Sequence, residues 1–120
     1  MSRPNTPKLE TVRPISTLTR VEKAQAKLAR EERKLIKLVH EEREKEADLK
    51  SKKEKLTNLE NTPENNRDSS YPKNVETAKN RVAKSQEELD NVRAKIELGS
   101  KKVEDLEKAV KETKFTRHGN

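Results

Sequence analysis

The chain has 120 residues and a net charge of +7, with 28% hydrophobic residues against 42% charged ones. It contains no cysteine, which excludes disulfide bonds, a thiolate nucleophile and cysteine-based zinc sites. A compact core needs more apolar volume than this, whereas a seam between two long helices needs only about two apolar positions in seven. The composition therefore favours an all-α coiled coil over a globular domain.

Residues 1–15 are expected to form a disordered amino-terminal arm, because they contain three prolines and show no apolar periodicity. A first helix is predicted over about residues 17–60, where good helix formers dominate and neither glycine nor proline occurs. Thr19, followed three residues later by Glu22, fits a capping box near its start.

Apolar residues recur with a seven-residue period along this first helix, but charged residues interrupt the pattern. The charged residues at seam positions are Glu31, Glu42, Lys45 and Lys52. They could specify the helix register or form a docking patch. The favoured interpretation is that their aliphatic stems lie along the seam while their charged groups reach water.

A cluster of turn-forming residues with two prolines predicts a loop over about residues 61–73. A second helix is predicted over about residues 74–115, and residues 117–120 are expected to form a short polar tail. Two nearly equal helices around one loop predict an antiparallel coiled-coil hairpin within residues 16–116. Dimerisation of this hairpin into a four-helix assembly is left open.

The apolar seven-residue repeat of the second helix never loses phase, and it is the most informative pattern in the chain. We call the apolar stripe along which the two helices are expected to pack the seam. The predicted seam residues are Leu28, Leu35, Leu38, Leu49, Leu56, Leu59, Val75, Val82, Leu89, Val92, Ile96, Val103, Leu106 and Val110. Ala78, Ser85, Gly99 and Thr113 complete the repeat in the second helix.

The sequence is compatible with two registers of the hairpin. A tight register faces Leu38 with Ile96, but it sets like charges against each other on the flanks of the seam. These pairs are Lys53 with Lys79, Lys55 with Arg81, Asp48 with Glu88, and Lys34 with Lys102. A shift of one heptad makes most flanking pairs complementary but gives up the seam layers nearest the loop. Exposed ion pairs contribute about 0.2–1 kcal/mol each, and burying one valine contributes about 1.5–3 kcal/mol, so the two effects are comparable.

Charged residues of both signs alternate along both helices, which is typical of a solvated surface. A candidate basic contact patch near the loop consists of Lys50, Lys53, Lys55, Lys79, Arg81 and Lys84. Thr6 and Thr62 each precede a proline, and their phosphorylation is left open.

The sequence predicts no catalytic, metal-binding or cofactor-binding residues and no small-molecule substrate. We expect a non-enzymatic interaction or scaffold protein that presents a charged helical rod to partner proteins or to a second copy of itself. The alternatives are a nonspecific electrostatic binder of nucleic acid or ribosomes, and a peripheral module on anionic membranes. The sequence lacks a long apolar run and an apolar segment near its amino terminus, which predicts a soluble intracellular protein, in the cytoplasm or alternatively the nucleus.

Overall fold

The computed structural model describes residues 5–119 of the chain, with side chains described for residues 19–113. Helix α1 spans Asn5–Glu60, a short 3-10 helix spans Glu64–Asn66, and helix α2 spans Tyr71–Gly119. No strand occurs within residues 5–119. The two long helices pack against each other, which confirms the predicted all-α fold built from a helical hairpin.

Both helices are longer than the sequence predicted. α1 begins at Asn5 rather than near residue 17, so Pro7 and Pro14 lie inside a helix where a disordered arm was expected. Pro7 falls in the first turn of α1, where proline is tolerated, whereas an interior proline such as Pro14 removes a backbone hydrogen bond and costs a helix about 3 kcal/mol. α2 continues to Gly119, through most of the expected tail. Residues 1–4 and 120, which also belong to the predicted arm and tail, lie outside the described residues.

The chain divides into two compact units. The loop unit comprises Ile36–Leu98, and the terminal unit combines the part of α1 up to Leu35 with the part of α2 from Gly99. In the loop unit, the most buried side chains are Leu49, Ser85, Leu89 and Val92, with Leu89 only 2% exposed. In the terminal unit they are Val21 and Val110.

Burial follows the seven-residue repeat of α2 from Val75 to Thr113. All fourteen predicted seam residues are buried or half-buried, and so are Ala78, Ser85, Gly99 and Thr113. Between Val75 and Thr113, the only other side chains that are not exposed are Gln86 and Glu88, which adjoin the seam. A helix that buries every first and fourth residue of a heptad presents a single narrow stripe to its neighbour.

The loop between the helices is held by hydrogen bonds of its own. Ser70 immediately precedes α2, and Asp68 Oδ1 accepts hydrogen bonds from the Ser70 backbone N–H at 3.0 Å and from Ser70 Oγ at 2.6 Å. These bonds hold the pKa of Asp68 below its usual range. The Arg67 side chain donates to the carbonyl oxygens of Thr62 and Glu60, and its guanidinium lies 4.5 Å from the centre of the Tyr71 ring. Side-chain hydrogen bonds therefore hold the loop at both its α1 end and its α2 end.

Contacts between the helices select the tight register in each unit. In that register Lys45 faces Leu89. In the loop unit Lys45 Nζ donates a hydrogen bond to Glu88, the residue that precedes Leu89. In the terminal unit Glu31 pairs with Lys102, which is the residue next to its seam partner Val103. A shift of one heptad would move one helix by about 10 Å along the other, too far for either contact.

Candidate interaction surfaces

The seam charge of the terminal unit lies between two flanking lysines. Glu31 Oε2 is 3.3 Å from Lys34 Nζ, and Glu31 Oε1 is 3.5 Å from Lys102 Nζ. The Glu31 side chain is only 12% exposed. Burial by itself would raise the pKa of Glu31, but the hydrogen bonds and charges of the two lysines outweigh it and lower that pKa. Glu31 therefore joins the two lysines that the tight register places opposite each other.

The loop unit has the same arrangement with the signs reversed. Asp48 and Glu88 form a like-charged flanking pair, and two seam lysines separate them. Lys52 Nζ donates to Asp48 Oδ2 at 2.8 Å, and Lys45 Nζ donates to Glu88 Oε1 at 3.3 Å. Ser85, at 1% exposure, donates its hydroxyl to Asp48 Oδ2 at 2.9 Å. The hydrogen bond from Lys52, followed by the one from Ser85, lowers the pKa of Asp48.

The remaining seam charge, Glu42, belongs to a second network of the loop unit. Arg93 Nε donates to Glu42 Oε2 at 3.1 Å, and Arg93 Nη2 donates to Glu46 Oε2 at 2.9 Å. The hydrogen bond to Glu42 is the largest cause of a raised pKa at Arg93. Arg93 thus pairs with two carboxylates of α1, one at a seam position and one on the flank of the seam.

All four seam charges therefore meet a partner of opposite charge, and three of them meet it on the other helix. The four side chains are half-buried, and their charged groups contact charged groups of the protein rather than only water. From the sequence these residues were interpreted as gaps in the apolar seam, and the role of Glu31, Lys45 and Lys52 as counterions of the like-charged flanking pairs was overlooked. For Glu31, Lys45 and Lys52 the signal was present in the sequence, because Lys34, Glu46 and Asp48 flank them with the opposite sign, whereas the partner of Glu42 lies on the other helix.

The candidate basic patch has no such partners. Lys50, Lys53, Lys55, Lys79, Arg81 and Lys84 are all exposed. Within the described part of the chain, none of the six side chains forms an ion pair or a hydrogen bond. All six belong to the loop unit. In the tight register Lys53 lies opposite Lys79, and Lys55 lies opposite Arg81.

An open groove of about 610 Å³ runs between the helices on one side of the loop unit. Its lining includes the buried seam residues Leu49 and Leu89, and its rim includes Lys50, Lys53 and Arg93. The sequence did not predict this groove, since its depth depends on how the polar flanking side chains are arranged.

Two large aliphatic side chains of the loop unit lie outside the seam. Ile36 is 57% exposed and Leu98 is 71% exposed. Both were missed because the sequence interpretation followed only the seam positions. Thr62, one of the two Thr-Pro sites, is half-buried in the loop, and Thr6 lies outside the residues whose side chains are described.

A scan against protein-family models and searches of curated proteins and solved structures found no match to this chain. Among the described residues, neither helix holds a stretch long and apolar enough to cross a bilayer. Over the same residues, histidine and carboxylate side chains form no group of three that could hold a metal ion. The geometry of the two units is therefore the only basis for a functional proposal.

Proposed function

We propose that this protein is a non-enzymatic interaction module, in which a coiled-coil hairpin presents its outward helix faces to a partner protein. The observation that carries the proposal is the exposure of Ile36 and Leu98, which lie outside the seam of a unit whose seam side chains are all buried or half-buried. A chain with so few apolar residues gains no fold stability from leaving two large aliphatic side chains in water. Covering these two side chains with a partner would remove their apolar area from water, which is the main driving force of most protein–protein association.

The internal ion pairs support the same proposal. The seam charges are occupied by partners within the chain, so the hairpin does not need a second protein to neutralise its seam. A helical hairpin that is complete in itself can hold binding residues at fixed positions. Self-association into a four-helix assembly is the alternative form of this function, with a second copy covering the exposed aliphatic residues.

The test compares the wild-type chain with I36Q/L98Q, because glutamine keeps helix propensity while removing apolar area. Each chain is immobilised, and bound proteins from a cell extract are compared by mass spectrometry. We expect specific proteins to be retained by the wild type and absent from the variant. K23Q/K101Q is the matched control, since it also changes two exposed residues but no aliphatic ones.

Sedimentation over a range of concentrations separates the two forms of the proposal. A wild-type mass that rises with concentration, and an I36Q/L98Q mass that does not, would identify the second copy as the partner. The same set of bound proteins on all three chains, together with a constant mass, would refute the proposal.

A further inference from the structure

Like-charged flanking pairs at two levels of the seam are neutralised inside the chain. Glu31 contacts both members of the basic pair Lys34 and Lys102. At the acidic pair, Lys52 contacts Asp48, and Lys45 likewise contacts Glu88. At each of these levels the seam supplies a charge of opposite sign, so the tight register is tolerated there.

Two basic pairs nearer the loop have no such counterion. Lys53 lies opposite Lys79, and Lys55 lies opposite Arg81, in the register that the contacts select. The seam beside them contains leucine, alanine and valine, and its one charged residue, Lys52, is itself basic and is bonded to Asp48. Glu54 and Glu76 lie nearby along the chain but form no ion pair with any of the four.

This arrangement does not serve the stability of the fold. Like charges directly opposite each other are destabilising. The alternative register would have set Lys79 near Glu60 and Lys55 near Glu88, and the structure does not adopt it. Where a chain breaks a rule that it follows elsewhere, a function is the expected reason.

We propose that Lys50, Lys53, Lys55, Lys79, Arg81 and Lys84, which we call the loop-proximal cluster, bind the phosphate backbone of a single-stranded nucleic acid. The nucleic-acid strand supplies the negative charge that the seam supplies elsewhere. Lysine and arginine contacts to phosphates are the main source of sequence-independent affinity.

The position of the cluster favours a flexible strand over a flat bilayer. Lys53 and Lys79 each lie four residues after a seam residue, whereas Lys55 and Arg81 each lie immediately before one. In an antiparallel pair these two kinds of flanking position lie on opposite sides of the helices. A membrane surface reaches one side at a time, whereas a flexible strand can contact both.

The same surface offers no means of reading bases. Base recognition on single strands relies on exposed aromatic platforms. The chain has one tyrosine and one phenylalanine, and the Tyr71 ring is already covered on one face by the Arg67 guanidinium. Binding is therefore expected to be independent of sequence and strongly dependent on salt.

The test measures binding of the full chain to a labelled polyuridylate by fluorescence anisotropy, between about 50 and 200 mM salt. The variant K53Q/K55Q/K79Q/R81Q removes four charges of the cluster. Removal of one phosphate-binding charge lowers the slope of log affinity against log salt by about 0.7, so the slope should fall by about 3. The control K23Q/K27Q/R33Q/K101Q removes the same number of exposed charges outside the cluster, and its slope should stay close to that of the wild type.

A second measurement separates loss of binding from loss of folding. Because the substitutions relieve repulsion, the cluster variant should unfold at a higher temperature than the wild type while binding more weakly. The smaller variant K55Q/R81Q should show both effects to a lesser degree. A cluster variant that unfolds at a lower temperature would overturn the argument from uncompensated charge.

Three further results would overturn the proposal. Equal loss of affinity in the cluster variant and the control would show that binding follows net charge alone. Unchanged affinity in the cluster variant would place the phosphate-binding residues elsewhere. Failure to bind polyuridylate, with flotation on vesicles containing phosphatidylserine, would assign the cluster to lipid instead. I36Q/L98Q should bind polyuridylate like the wild type, so this proposal can fail independently of the protein-interaction function.

Discussion

Replacement of Leu89 by alanine tests the seam most directly, because Leu98 on the same helix provides a matched control. Leu89 is 2% exposed and Leu98 is 71% exposed, so the same substitution removes buried area at one position only. A buried leucine replaced by alanine costs about 2–5 kcal/mol of unfolding free energy. The substitution at Leu98 should change it by less than about 0.5 kcal/mol.

The assay is urea denaturation followed by circular dichroism at one protein concentration, with the midpoint and slope compared across variants. If L89A is too unstable to show a folded baseline, V92A provides a milder version, since Val92 is 4% exposed and loses less volume. We expect L89A and V92A to lower the midpoint and L98A to leave it in place. Equal effects of L89A and L98A would refute the assignment of the seam. A clear loss of stability in L98A alone would show that a partner surface covers Leu98.

The remaining predictions concern the polar contacts. Glu31, Asp48 and Asp68 have pKa values below their usual 4.5, 3.8 and 3.8. A lowered folded-state pKa adds stability above the unfolded-state value, and this is lost as pH falls through the folded-state value. The urea concentration at the unfolding midpoint should therefore decrease in the wild type as the pH is lowered below about 4.5, and it should decrease less in E31Q/D48N. Parallel curves of midpoint against pH for the two chains would contradict this reasoning. S85A should lower the urea midpoint because it removes the buried hydroxyl that bonds Asp48. S51A changes an exposed serine and should leave the midpoint in place, and equal midpoints of S85A and S51A would argue against the bond. R67A should lower the free energy of unfolding by about 0.5–1 kcal/mol because it removes the cation–π interaction with Tyr71. R43A, at an exposed position, is the control, and tyrosine fluorescence should change only in R67A.

Interpretation of the sequence was most successful where local periodicity carried the information. The repeat from Val75 to Val110 placed the buried face of α2, and the cluster of turn residues located the loop. The helix ends were less accurate, since Pro7 and Pro14 were interpreted as helix breakers although they lie within α1. Ile36 and Leu98 were overlooked because a periodic pattern draws attention to the residues that follow it.

Two long helices, one loop and the stripe along which the helices meet all follow from the order of the amino acids alone. These features depend on residues a few positions apart, and the helical period relates such residues directly to one face. The register was settled by the folded chain, because the contacts that select it, Lys45 with Glu88 and Glu31 with Lys102, join residues 43 or more positions apart. Lys45 reaches from the seam to a flank, and Arg93 reaches from a flank to the seam. A comparison of directly facing pairs does not include that reach. The same geometry determines which charges are neutralised within the chain and which, near the loop, have no counterion in it.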